Sequence, residues 1–83
     1  MHLELLTPGK NIFSGEVKKV KLPGSGGYLG VLNNHAPLIS ALMDGELKLV
    51  TESGETKRYT TTGGVVEVKN NQIMILVESI ENV

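Results

Sequence analysis

Apolar and polar residues alternate along most of the chain, with the period of a half-buried β-strand rather than that of a helix. Leu47 and Leu49 alternate with polar neighbours, and Val66 and Val68 do the same. Residues 73–77 form a continuously apolar run, which predicts a strand covered on both faces. No window shows the pattern of a convincing amphipathic helix. The alternation therefore predicts an all-β protein.

Turn-forming dipeptides divide the chain at intervals of about eight to twelve residues, which is the strand spacing of β-sandwiches and barrels. Two hairpins are predicted. One joins residues 46–51 to 56–61, and the other joins 65–69 to 72–77 through Asn70-Asn71, two residues that tolerate a tight hairpin turn. We predict a single all-β domain over residues 1–83, a flattened β-sandwich or barrel of short antiparallel strands.

Two irregularities interrupt this pattern. The apolar positions shift by one between Val17 and Val20, which predicts a β-bulge near Lys18-Lys19. The apolar pattern fades over residues 78–83, where we expect a ragged end.

Composition limits the function. A chain of 83 residues with three aromatic side chains builds only a small aliphatic core, so an apolar face left over would serve better against a partner than against water. A net charge of −1 gives no reason to expect nucleic acid, and Lys18, Lys19 and Lys21 are interpreted as a solvated strand face. Without cysteine there is no disulfide framework. No run of apolar residues is long enough to span a membrane, so we expect a soluble chain.

The glycine-rich segment 24–30 and the loop that follows it do not fit a catalytic or phosphate-binding motif. Gly24 and Gly26 lack the third glycine of a dinucleotide loop, and no helix follows to meet a phosphate. Ser25 is not in the setting of a hydrolase nucleophile. His35 has no nearby carboxylates with which to bind a metal, and a hydrogen bond that pins its loop is the expected role. We predict no catalytic residue, no cofactor and no metal.

Six short pieces of the sequence together resemble a known family. They are Phe13-x-Gly15-x-Val17, Val20-Lys21-Leu22-Pro23, Gly27-x-x-Gly30-Val31-Leu32, Asn34-His35-Ala36-Pro37-Leu38, Leu42-x-x-Gly45-x-Leu47 and Gly63-Gly64-Val65-Val66-Glu67-Val68. In this order and spacing they resemble the N-terminal β-sandwich domain of the epsilon subunit of the F-type ATP synthase.

The resemblance implies a non-catalytic subunit of the central stalk, or rotor, which links the gamma shaft to the ring of c subunits and couples proton flow to ATP synthesis. The implied partners are the gamma subunit, the c ring and, indirectly, the catalytic alpha/beta head, with no nucleic acid. The implied location is the cytoplasmic face of the bacterial inner membrane, reached only through the complex.

The resemblance also implies contact residues. Those toward the c ring are Ser25, Gly26, Gly27, Tyr28, Asn33 and Asn34, and those toward gamma are Thr7, His35, Ser40 and Leu42. Tyr28 stands where family members often carry an acidic or other polar side chain. Many epsilon subunits continue into a helical hairpin that is absent here, so we expect this chain to lack helix-mediated inhibition. A naturally short epsilon and a chain cut after its first domain both remain open.

The alternative is a free-standing β-sandwich module that binds a protein or a peptide. Its carrier form would present a lysine at a hairpin tip, but the tips carry Ser53-Gly54 and Asn70-Asn71. Its peptide-binding form would need an exposed edge strand.

Overall fold

The computed structural model describes residues 1–83, and every regular element in it is a β-strand. The strands are β1 (His2–Thr7), β2 (Lys10–Gly24), β3 (Gly27–Leu32), β4 (Leu38–Leu42), β5 (Gly45–Thr51), β6 (Thr56–Thr61), β7 (Gly64–Lys69), β8 (Gln72–Val77) and β9 (Ile80–Asn82). No helix is present that could cross a membrane. The all-β prediction is confirmed.

The strands form two layers that share one long strand. Residues 10–16 of β2 pair with β1, and β8, β7 and β4 follow in order to complete the first sheet. Residues 17–24 of β2 lie between β3 and β5, and β6 and β9 complete the second sheet. A single pairing between Gly24 and Leu42 joins β2 to β4 and closes one side. The flattened β-sandwich is thus confirmed, although β2 is 15 residues long and the β1–β8 pair is parallel.

The core fills the space between the two sheets. Because side chains alternate across a strand, every second residue points inward. Both sheets contribute almost only aliphatic side chains, which leaves Tyr59 as the one buried aromatic residue. The fully buried members are Leu3, Leu5, Leu22, Leu47, Leu49, Ile75, Val17, Val20, Val31, Val66, Val68 and Val77.

Both predicted hairpins and the predicted bulge are confirmed. Strand β5 pairs with β6, and β7 pairs with β8. Asn70 and Asn71 have φ angles of 53° and 60°, the left-handed backbone that a two-residue hairpin turn requires. The register of β2 against β5 shifts between Val17 and Lys19, which places the bulge at Lys18.

Two predictions about the C-terminal third are wrong. The expected ragged end contains β9, which pairs with β6, because backbone hydrogen bonding to an edge strand needs no apolar alternation. The apolar run 73–77 is covered on one face only. Ile73, Ile75 and Val77 are buried, whereas Met74 and Leu76 are 49% and 42% exposed, because no other part of the chain covers the outer face of β8.

Candidate partner-binding surfaces

The residues predicted to contact the c ring lie at opposite ends of β3. The turn at Ser25 and Gly26 precedes this strand, and Asn33 and Asn34 follow it. The strand has six residues, so the Cα atoms of its two ends are about 17 Å apart at the usual rise of a β-strand. The structure therefore does not bring these residues together in one patch.

The turn between β2 and β3 is open to solvent and is held in place by Tyr28. Added side-chain atoms at Gly26 or Gly27 would meet nothing within 4 Å, and Gly27 has a φ of 119° that favours glycine. The hydroxyl of Tyr28 accepts a hydrogen bond from the backbone N–H of Glu46 at 3.4 Å. The Nζ atom of Lys21 lies 4.7 Å from the centroid of the Tyr28 ring. The turn is thus a projecting, small-residue surface fixed to β5.

The two asparagines at the other end of β3 join three separate segments. Oδ1 of Asn33 accepts hydrogen bonds from the Met1 ammonium at 3.3 Å and from Nδ2 of Asn71 at 2.8 Å. The backbone N–H of Asn34 donates to Oδ1 of Asn71 at 2.8 Å, and Asn34 has a φ of 63°. These bonds tie the loop to the N-terminus and to the β7–β8 turn. Nothing in the sequence alone indicates this pairing of distant asparagines.

His35 stabilises its own loop through local hydrogen bonds. Its backbone N–H donates to the Leu32 carbonyl at 3.1 Å, and its Nδ1 atom lies 2.7 Å from the carbonyl oxygen of Ala36 and donates to it. His35 as a whole is exposed. The ring is therefore free to meet a partner while its loop stays fixed.

The other residues predicted to contact gamma differ in exposure. Thr7 and Ser40 are half-buried, and the Oγ atom of Ser40 donates to the Ala41 carbonyl at 3.1 Å. Leu42 is buried in the core, which contradicts a direct contact through its side chain. The alternation of β4 turns Leu42 inward and Ile39 outward, and Ile39 is 72% exposed.

An apolar patch lies on the part of the first sheet's outer face that β4, β7 and β8 form. We define the apolar patch as Ile39 on β4, Val65 on β7, and Met74 and Leu76 on β8, all exposed. Exposed Glu67 lies between Ile39 and Met74 and is the charged residue of this surface. The strand register places Leu76 directly beside Val65, and half-buried Leu6 of β1 beside Leu76, so the apolar surface runs across neighbouring strands. The continuously apolar run 73–77 was the sequence signal for this patch. A strand with apolar residues on both faces needs the core on one face and a second apolar surface on the other.

A charged cluster lies on the outer face of β1 and the first half of β2. The imidazole of His2 contacts two carboxylates, Glu4 at 2.6 Å and Glu16 at 2.9 Å. Glu4 also accepts hydrogen bonds from Ser14 and Asn11. The hydrogen bond to Glu4, followed by that to Glu16, raises the pKa of His2 above its ordinary value, and the bonds from Ser14 and His2 lower the pKa of Glu4. No group of three or more His, Asp or Glu side chains is arranged to hold a metal ion.

The His2 cluster predicts a pH dependence of stability. A group with a raised folded-state pKa stabilises the fold fully below its unfolded pKa, and this contribution is lost as the pH rises through the folded value. We therefore expect the free energy of unfolding to fall as the pH rises above the ordinary His pKa of about 6.5 and through the raised pKa of His2, a range in which carboxylates stay ionised. The change should be smaller in His2→Gln and intermediate in Glu16→Gln, as measured by urea unfolding. The Met1 ammonium is present in all three proteins, and an NMR pKa of His2 at or below 6.5 would contradict this account.

The sequence of the chain is similar to that of a known protein family. Residues 1–83 match the family described as the ATP synthase, Delta/Epsilon chain, beta-sandwich domain. The ATP synthase epsilon chains of Desulforamulus reducens and Pelotomaculum thermopropionicum are each 42% identical over 79 residues, which is 95% of this chain. These residues are 59% and 58% of the two relatives, so the chain spans less than two thirds of their length.

Solved structures share the fold. A chain of the Euglena gracilis mitochondrial ATP synthase, in its OSCP/F1/c-ring assembly, superposes with a TM-score of 0.91 at 24% identity, over 96% of this chain and 51% of that one. A chain of the Tetrahymena thermophila mitochondrial ATP synthase, from its central stalk and c-ring, superposes with a TM-score of 0.81 at 25% identity, over 96% and 64%. With the family match over its whole length, the chain belongs to the β-sandwich domain family of ATP synthase delta and epsilon chains.

Proposed function

We propose that this domain is a non-catalytic part of the rotor of an F-type ATP synthase, where it links the gamma shaft to the c ring. It performs no chemistry, and its task is to keep shaft and ring from slipping while proton flow drives ATP synthesis. The names of the relatives, ATP synthase epsilon chain, and the central stalk and c-ring assembly of the Tetrahymena structure support this proposal.

The apolar patch is the observation that carries the proposal. Four large apolar side chains share one face of one sheet and are exposed among residues 1–83. Such a surface is typical of the buried centre of a protein interface, which polar residues surround. Two of the predicted gamma contacts are chain neighbours of this surface: Ser40 follows Ile39 on β4, and Thr7 follows Leu6 on β1. Strand alternation turns both of their side chains away from the face that carries the patch. We assign the patch to gamma.

The open turn between β2 and β3 is the proposed ring contact. Ser25, Gly26 and Gly27 let another backbone approach closely, and Tyr28 fixes the turn to β5. Asn33 and Asn34 lie at the far end of β3, so one flat partner would not meet them together with the turn. Within the complex, the domain would lie at the cytoplasmic face of the bacterial inner membrane and reach the membrane only through the ring.

Co-purification with the cognate gamma subunit tests the proposal. The chain and gamma, expressed together, should elute from a sizing column as a one-to-one complex. Leu76→Glu should weaken this complex by about tenfold or more, because Leu76 lies between Val65 and Leu6 and the substitution places a charge within an apolar interface. Met43→Glu is the matched control, since Met43 is similarly exposed, at 54%, but lies outside the patch.

Two outcomes would contradict the proposal. One is a wild-type chain that does not bind gamma although circular dichroism shows both proteins to be folded. The other is equal weakening by Leu76→Glu and Met43→Glu, which would show that charge alone, and not the patch, determines binding.

A further inference from the structure

Strand β3 is an edge strand with a row of outward backbone groups, of which the Leu32 carbonyl already accepts a hydrogen bond from the N–H of His35. It pairs with β2 alone. The carbonyl of Pro23 accepts a hydrogen bond from Met43, so the backbone of Pro23 faces away from β3. Tyr28 is opposite Pro23 and must therefore face away from β2, and the alternation of an antiparallel pair gives Gly30 and Leu32 the same orientation. These three residues present their N–H groups to the free edge.

A row of cations lies beside this edge, on the outer face of the second sheet. Lys21 is directly opposite Lys48, and Lys48 is directly opposite Arg58. Like charges in directly opposed positions destabilise a sheet. None of these three cations forms an ion pair, and the carboxylates that share this face, Glu46 and Glu81, form none with them either. Repulsion between these cations therefore lowers the stability of the sheet, and an anionic partner would reduce that repulsion.

An open groove connects the cations to the free edge. It has a volume of about 280 Å³, and Lys19, Lys21, Lys48, Tyr28 and Leu32 are among its lining residues. Gly30 is directly opposite Lys21, so no side chain lies between the edge and that lysine. The Tyr28 ring holds Nζ of Lys21 on the β3 side, at 4.7 Å from its centroid. Leu32 adds an apolar contact beside Lys19, since it is 61% exposed.

We propose that the free edge of β3 binds an extended, acidic segment of a partner protein as an added β-strand. The N–H and C=O groups of Tyr28 and Gly30 and the N–H of Leu32 would bond to the segment. Strands are about 4.8 Å apart, so an added strand lies about 10 Å from β2. A glutamate side chain opposite Gly30 reaches across that glycine to meet Lys21. Specificity thus comes from a carboxylate at this position and from an apolar side chain beside Leu32.

A second copy of this chain does not fit the site. Exposed edge strands often pair with the edge strands of other copies of the same chain, and charged side chains near the edge commonly prevent this association. Two β3 edges brought together would also bring together two rows of lysines, which repel each other. An acidic segment would pair with the same backbone groups, and its carboxylates would be attracted to the lysines. This inference rests on the edge and the lysines and does not depend on the contact proposed for gamma, although Tyr28 belongs both to this edge and to the predicted c-ring contacts.

The probe for this site is a short peptide in which glutamate alternates with valine and threonine. Titrated into the isotope-labelled 83-residue chain, it should show saturable binding below about 1 mM and slow hydrogen exchange at the amides of Tyr28, Gly30 and Leu32. A matched peptide with lysine in place of each glutamate should not bind. No saturable binding, or equal binding of the two peptides, would overturn the proposal. A dimer of the chain that protects the same three amides without peptide would also overturn it.

Variants separate the backbone contribution from that of charge. Gly30→Pro removes an outward N–H without removing a bond to β2, and proline is tolerated on the open side of an edge strand, so binding should be lost while the fold is retained. Lys21→Gln should weaken binding about fivefold, the effect of one exposed ion pair. Lys69→Gln, an exposed lysine on the other sheet, should have no effect. Unchanged binding in Gly30→Pro, or equal weakening in Lys21→Gln and Lys69→Gln, would overturn strand addition or the role of Lys21.

Discussion

Replacing Gly64 with alanine is expected to lower the free energy of unfolding by more than about 3 kcal/mol, enough to unfold a domain of this size in part or in full. A Cβ atom at this position would collide with the backbone carbonyl of Leu76 and lie 2.8 Å from the Cα atom of Val77. Both obstacles are backbone atoms of β8, so no side-chain rotation relieves them. Gly64 also pairs with Leu42 of β4, so moving it disturbs a second strand.

The neighbouring glycine provides the control. At Gly63, the nearest atom to an added Cβ is the carbonyl oxygen of Leu42 at 3.6 Å, an ordinary contact distance. The N–H of Gly63 donates to Oδ1 of Asp44 at 2.9 Å, and alanine keeps that bond. Gly63→Ala should therefore change the free energy of unfolding by about 0.5 kcal/mol or less. Urea unfolding followed by circular dichroism measures both variants, and equal effects would contradict the steric account.

Replacing Leu5 with alanine is expected to cost about 3 kcal/mol of the free energy of unfolding, the usual result of opening a cavity in a core. Leu5 is fully buried on β1, which lies between β2 and β8, and it is directly beside Ile75. Flanking strands on both sides hold the backbone in place, so the cavity cannot close easily. The core is small, and one lost leucine removes a substantial fraction of it.

An exposed leucine is the matched control for this substitution. Leu32→Ala removes the same atoms from a side chain that is 61% exposed, and it should cost about 0.5 kcal/mol or less. Thermal and urea unfolding of both variants give the comparison. A loss in Leu5→Ala as small as that in Leu32→Ala would show that the sheets collapse around the missing side chain, and that the core is more adaptable than its burial indicates.

Features that depend on neighbouring residues were predictable from the sequence. The turn at Asn70-Asn71 and the bulge at Lys18 follow from local backbone preferences and from a shift in apolar period. The parallel pairing of β1 with β8 was not predictable, because it joins residues about seventy positions apart without a local signal. Strand β9 was missed for the same reason, since its partner β6 and not its own apolar pattern determines it.

The candidate surfaces were predictable only in part. The resemblance selected Ser25 to Tyr28, and the structure places these residues in a projecting turn. It also grouped Asn33 and Asn34 with that turn, whereas the length of β3 separates them. Leu42 was selected from its place in a motif, but the direction of its side chain depends on the register of β4 against β7. The apolar patch was implicit in the run 73–77, because one sequence pattern fits both a strand buried by its own chain and a strand buried by a partner.

The shared strand β2 has a mechanical consequence. The apolar patch belongs to the first sheet, and the turn proposed to meet the ring extends from β2 in the second. In a sandwich whose layers touch only through side chains, a sideways load on one layer is resisted by dispersion contacts that can slide. Here the backbone of β2 runs without a break from one layer to the other, so sliding would have to deform covalent geometry and break hydrogen bonds on both sides. A torque applied at the apolar patch would therefore be transmitted to the turn between β2 and β3 with little deformation of the domain.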